Sequence, residues 1–111
     1  MKIELKDKKI IINVYYSKKT YLKNTPGVEV SDNTMGQCCY NNNQRIINIG
    51  VFDKEDSTLV HELFHCVEYI NVMIGEINNR DVLFSESNAY LIEYLFKTIT
   101  KKRGKKWKSH T

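Results

Sequence analysis

The stretch from Asp53 to Gly75 constrains the fold more than any other part of the chain. Leu59, Leu63, Cys66, Val67, Ile70 and Ile74 recur at helical spacing and project onto one arc when successive residues are turned by about 100°. Asp53 is a favoured N-cap, Glu55 and Asp56 suit the positive end of the helix dipole, and Gly75 closes the pattern. The spacing predicts an amphipathic helix, running to about Met73, that must bury its apolar arc against a second layer. His61 and His65 fall on nearly the opposite arc, with Thr58, Tyr69 and Val72 beside them. Histidines satisfied in a core would sit among the leucines, and plain solvent surface would be less apolar. This second face is therefore expected to line a cleft.

The two histidines belong to the pentapeptide His61-Glu62-Leu63-Phe64-His65. Residues four apart on a helix lie one turn above each other, so both imidazoles point the same way. Two converging imidazoles are half of a tetrahedral zinc site, and an acid next to the first can take a proton from a water activated by the metal. His61 and His65 are thus expected as metal ligands and Glu62 as a general base, with one zinc per chain. Imidazole and carboxylate donors suit zinc better than calcium or magnesium, which prefer all-oxygen sites. The uncharged flanks Thr58-Leu59-Val60 and Cys66-Val67 leave the ligands without a competing charge alongside.

A catalytic zinc normally has three protein ligands and an open position. The remaining histidine, His110, lies in a segment crowded with cations that would oppose a dication. Downstream carboxylates are Glu68, Glu76, Asp81, Glu86 and Glu93. A second amphipathic helix is expected from about Ser85 to Thr100, with Leu91, Ile92, Leu95, Phe96 and Ile99 facing the core and Glu86, Tyr90, Glu93 and Lys97 opposite. Glu93 has a ready helical ion-pair partner in Lys97, whereas Glu86 has none and sits in the first turn, where the dipole keeps a carboxylate ionised. Glu86 is the preferred third ligand and Glu93 the alternative. Tyr90, on the Glu86 stripe, is the first choice as donor to a developing oxyanion, with Tyr69 and Tyr94 behind it. Packing between helices is the simpler role for all three.

Upstream, Lys8–Tyr16 is β-branched and aromatic and reads as a strand paired with Lys2–Lys6. Residues 24–36 hold the only proline and read as a loop, with at most a short strand at Val28–Val30. Gln37–Tyr40, the turn Asn41-Asn42-Asn43 and Arg45–Phe52 read as a hairpin, and Glu76–Leu83 as a polar loop. Strands followed by two helices indicate an α+β domain: a small antiparallel N-terminal sheet packed on the histidine helix and on a C-terminal helix. Residues 1–100 are expected to form this single domain.

Of 111 residues 41% are hydrophobic and 27% charged, an ordinary globular balance that excludes disorder throughout. No apolar run reaches the length of a membrane span, and the charged N-terminal residues do not read as a signal peptide, so a cytoplasmic protein is expected. Three cysteines, two of them the adjacent Cys38 and Cys39, argue for ordinary reduced thiols rather than a disulfide framework. Residues 101–111 carry six basic residues and no acid, against eleven basic and thirteen acidic residues in 1–100. This basic tail, Lys101 to Lys108 with Trp107 among its cations, is expected mainly to be a solvated helix end, with a weak polyanion contact as its functional alternative.

His61–His65 followed by Glu86-Ser87-Asn88-Ala89 resembles the His-Glu-x-x-His plus Glu-x-x-Ala pattern of gluzincin zinc metallopeptidases. With Ser85–Ile92 it is similar, more closely, to small metallopeptidase-like proteins of bacteriophages and prophages. The resemblance covers mainly residues 45–100. It implies a minimal zincin-like fold, zinc held by His61, His65 and Glu86, Glu62 as the base, and a peptide or protein substrate in a bacterial cytoplasm. In such metallopeptidases an edge strand beside the metal helix binds extended peptide by strand addition, and Arg45–Phe52 is either that edge or an inner strand. A non-catalytic zinc-containing phage binding module is the alternative function.

Overall fold

A computed structural model describes residues 1–75 and 86–104. Expectations for the Glu76–Leu83 loop, for Asp81, and for Trp107 and His110 in the basic tail lie outside those residues.

Four strands, β1 (Lys2–Leu5), β2 (Ile10–Tyr15), β3 (Gly36–Asn41) and β4 (Ile46–Val51), form one sheet in the order β1-β2-β4-β3. Three helices complete the described fold: α1 (Lys18–Asn24), α2 (Asp56–Met73) and α3 (Glu86–Arg103). The expected α+β class is thus found, but the sheet is mixed rather than purely antiparallel. β1–β2 and β3–β4 are antiparallel hairpins, whereas β2 and β4 run parallel, with Ile12 opposite Ile47. Burial explains the pairing. β4 is the most enclosed strand, and insertion between β2 and β3 covers its backbone on both sides. Arg45–Phe52 is therefore an inner strand, and the edge beside the histidine helix is β3.

The two faces of the sheet are distinct. Ile3, Leu5, Ile10, Ile12, Val14, Ile47, Ile49 and Val51 point to one side, where they form a single core with Leu59, Leu63, Cys66, Val67 and Ile70 of α2 and with Leu95 and Ile99 of α3. The opposite face carries the Asn13–Asn48 side-chain bond (3.2 Å) and receives α1. That short helix was not foreseen in the sequence. Ser17 caps it by accepting from the Thr20 amide, and its fully buried Tyr21 packs edge-on against Tyr15 and Phe52. No regular strand forms at Val28–Val30.

α2 starts slightly later than its capping signal suggests. Lys54 takes a left-handed conformation (φ 61°), and the helix begins at Asp56. Asp53 still organises the entry: its carboxylate accepts from the Glu55 amide (3.1 Å) and the Thr58 hydroxyl (2.7 Å). The far end stops at Gly75 (φ 87°), and Ile74, expected in the core arc, is part exposed. Arg45 secures that end by donating to the carbonyl oxygens of Met73 (2.9 Å) and Lys8 (2.6 Å).

α3 runs antiparallel to α2. Arg103 at its C-terminus pairs with Asp56 at the start of α2 (2.6 Å), while Ser87 and Asn88 at its N-terminus share a cavity with Ile70, Asn71 and Ile74. Its apolar arc is the expected one, with Leu91, Ile92 and Phe96 flanking the buried Leu95 and Ile99. Asn88 is buried too, which no apolar pattern would signal. The helix passes the expected boundary at Thr100, and Lys102 donates to the Lys2 carbonyl oxygen (2.9 Å). The first residues of the basic tail are therefore body, not appendage.

Truncation after Thr100 is expected to lower stability by about 1–3 kcal/mol in denaturant titrations, because it removes the largely enclosed Arg103 and strands Asp56. An unchanged midpoint would show that the last turn of α3 is not docked. Gly36→Ala should also destabilise, by about 1–3 kcal/mol. A β-carbon there would lie 2.5 Å from Thr58 Cγ2 and 3.2 Å from Glu62 Cγ, so β3 and α2 would have to separate. Thermal unfolding of the variant reads the effect directly.

Candidate functional site

Residues of α2 sort into three neighbourhoods. The apolar arc faces the sheet, and the adjoining side meets β3, where Thr58 and Glu62 lie against Gly36 and Tyr69 stacks on Tyr40 with ring centres 4.6 Å apart. His61, His65 and Glu68 occupy the outward side, with His61 exposed and His65 half-buried. The expected placement of the histidines away from the core is what the fold produces.

The imidazole rings of His61 and His65 stand with centroids 5.0 Å apart and planes inclined by 74°. Two imidazoles on one tetrahedral zinc, each with a Zn–N bond of about 2.0–2.1 Å, also hold their ring centres about 5 Å apart. The ring separation matches that of two ligands on one ion. His65 has a further restraint: its Nδ1 lies 3.1 Å from Glu68 Oε1, which leaves Nε2 as the nitrogen free to bind a metal. His61 has no such hydrogen-bond partner among the described residues.

Glu62 differs from its neighbours. It is only 6% exposed, tucked beneath the start of β3, and it lines a cavity of about 330 Å³ with Met35, Gly36, Ser57, Thr58 and His61. Burial pushes its carboxyl above the usual range, partly opposed by the neighbouring His61 and His65. An acid held this way is a stronger base when ionised than an exposed glutamate, and it opens onto the cavity beside His61.

The other expected site residues lie elsewhere. Glu86 begins α3, and Tyr90, 64% exposed, lines a cavity with Ile70, Asn71 and Ile74, toward the end of α2 remote from His61. Glu93 is engaged with Lys97 (3.2 Å), the pairing its spacing suggests. Tyr94 is exposed on α3, and Tyr69 is occupied by Tyr40. Among the described residues no three of His, Cys, Asp and Glu gather closely enough to hold a metal ion. The antiparallel run of α3 sets its first turn beside the last turn of α2.

The three thiols are free. Cys38 faces Cys66 on the α2 side, and that contact together with burial raises its pKa, whereas Cys39 faces α1 and accepts from the Tyr21 hydroxyl (3.2 Å). Cys38 and Cys39, consecutive on β3, point to opposite faces of the sheet and are part buried, and Cys66 is buried on α2. No helix of the described residues is long and apolar enough to cross a membrane. Neither protein-family models, nor curated proteins, nor solved structures match the chain.

Glu62→Gln should raise the melting temperature of metal-free protein near neutral pH, because it removes a charge from a buried position. The sign follows from linkage. A carboxyl whose folded pKa is raised disfavours the folded state wherever it is ionised, and that penalty fades as pH falls through the raised value toward the unfolded one near 4.5. The advantage of the glutamine variant should therefore be present at pH 7 and gone at about pH 4. A variant no more stable than wild type at pH 7 would show that the carboxylate is adequately solvated.

Proposed function

We propose that this protein is a zinc-dependent hydrolase of the gluzincin type, cleaving a peptide or protein. One observation carries the reading: two imidazoles at the separation of a shared tetrahedral ion, with a buried carboxylate between them in sequence opening onto the cavity beside His61. A purely structural site has no use for an acid opening onto the cavity in that position.

His61 and His65 would hold the metal, and Glu86 is proposed as the third ligand on its helical position and on the Glu-x-x-Ala resemblance. A zinc bound there supplies Lewis-acid polarisation of the scissile carbonyl and a lowered pKa for the attacking water. Glu62 would act as the base toward an attacking water and return the proton to the departing amine, and its enclosure under β3 would keep the carboxylate from being levelled by bulk solvent. β3 is the edge of the sheet next to Glu62, so an extended peptide added to it would run past the base. Tyr90 retains a proposed part as oxyanion donor only together with Glu86, since both start α3.

A second reading has its own support. A non-catalytic zinc-containing binding module, with Lys101–Lys108 touching a polyanion, also accounts for a pair of outward histidines beside a basic tail. Activity separates the two readings.

Metal analysis of untagged protein supplied with zinc should give about one zinc per chain, and His61→Ala or His65→Ala should abolish it. Glu62→Gln should keep the zinc while hydrolysis in a peptide-library screen falls by at least about 100-fold. Absence of any transition metal would sink the proposal, and a glutamine variant that cleaves at the wild-type rate would remove Glu62 as base. Chelator competition on Glu86→Ala tests the third ligand. A sharp loss of affinity supports it, and an unchanged affinity would assign that position to another donor.

A further inference from the structure

We propose that Glu68 is the positioning residue of the histidine pair: it holds His65 in the Nδ1-protonated tautomer and thereby aims the Nε2 lone pair outward for the metal. The inference rests on the metal reading of the His61–His65 pair given above, and it adds a residue that neither short motif contains.

The geometry is specific. His65 Nδ1 and Glu68 Oε1 are 3.1 Å apart, one turn along α2, on the outward side that the two histidines share. An ionised carboxylate only accepts hydrogen bonds, so the proton between these atoms belongs to the imidazole. A neutral imidazole carries one N–H and one lone pair, so placing the proton on Nδ1 leaves the lone pair on Nε2. That is the opposite of the tautomer a free histidine side chain prefers, which makes the contact directive rather than incidental. Metal-binding histidines commonly depend on such an outer carboxylate for ring orientation and basicity.

Two rival roles fit less well. As a surface ion pair the contact would do little, since both side chains are nearly half exposed (44% and 46%) and solvent screens them. As a direct ligand of a metal on Nε2, Glu68 would have to leave the Nδ1 side of the ring, where its carboxylate now sits. The arrangement is also one-sided, because His61 has no hydrogen-bond partner of its own among the described residues. His65 is therefore the ligand preset by the helix, and His61 the one that settles when the metal arrives.

The test pairs a measurement that needs no metal with one that does. Imidazole nitrogen NMR on metal-free protein at about pH 8, where histidine is neutral, reads the tautomer of each ring. Wild type should show His65 protonated at Nδ1, Glu68→Ala should shift it toward Nε2 protonation, and His61 should be unaffected. Chelator competition with zinc should then show a loss of about 10–100-fold for Glu68→Ala. Glu68→Gln, whose amide oxygen still accepts from Nδ1–H, should recover most of that affinity.

A wild-type His65 protonated at Nε2, or a tautomer that Glu68→Ala leaves unchanged, would overturn the proposal. A glutamine variant that loses zinc as completely as the alanine variant would overturn it in favour of direct ligation. A wild-type chain that keeps the Nδ1 tautomer but takes up no zinc would sink the metal reading while upholding the control of His65 by Glu68.

Discussion

The burial of one arc of α2 on the sheet is the constraint from which the rest of the molecule follows. Leu59, Leu63, Cys66, Val67 and Ile70 are withdrawn from water against Ile47, Ile49 and Val51, and each such side chain contributes on the order of 1.5–3 kcal/mol. Rotating the helix by a quarter turn would expose several of them together, so the helix has a single rotational setting. With that setting, His61, His65 and Glu68 must face outward, and Glu62 must lie at the border where helix and edge strand meet. Both ends of the helix are then fastened, by Asp56 to Arg103 and by the Met73 carbonyl to Arg45.

The absent side chain at Gly36 decides how deep that border is. It lets β3 approach α2 until Thr58 and Glu62 occupy the space a β-carbon would need. Enclosure of the acid is a consequence, and enclosure is what raises its pKa against the pull of two neighbouring histidines. Three residues of one helix turn thus acquire three environments. One imidazole is exposed and without a hydrogen-bond partner among the described residues, one is half-buried and bonded to a carboxylate, and between them lies an acid shielded by a strand. That asymmetry suits a site in which ligands must be deprotonated and a base must be stronger than an ordinary glutamate.

α3 introduces the tension in the proposed chemistry. Its antiparallel packing on α2 satisfies Leu95 and Ile99, lets Arg103 neutralise Asp56, and sets Tyr90 beside Ile70, Asn71 and Ile74 near the end of α2. Apolar packing and ion pairing along the helix determine where the first turn of α3 lies, and a carboxylate ligand has to accept that position. The reported geometry therefore supports the two-histidine, one-base part of the reading more directly than it supports a third ligand.

Much of this was legible from residue spacing alone. The period of the apolar residues determined that α2 exists, which arc it buries and that His61 and His65 lie opposite, because helical geometry is local and a hydrophobic stripe has one physical use. The same logic located the β3–β4 hairpin and the core arc of α3. Tertiary structure alone decided the remainder. The parallel pairing of β2 with β4 is set by the need to cover the most buried strand on both sides, and no local signal carries that. Glu62 reads in sequence as a general base from its place in the pentapeptide, and only the approach of β3 over it makes it buried. Glu68 stands in the sequence as one of several downstream carboxylates, and its bond to Nδ1 depends on the rotamers that the outward side of α2 permits. Where the first turn of α3 lies depends on how two helices pack against each other, and that is settled over the whole core rather than by any short motif.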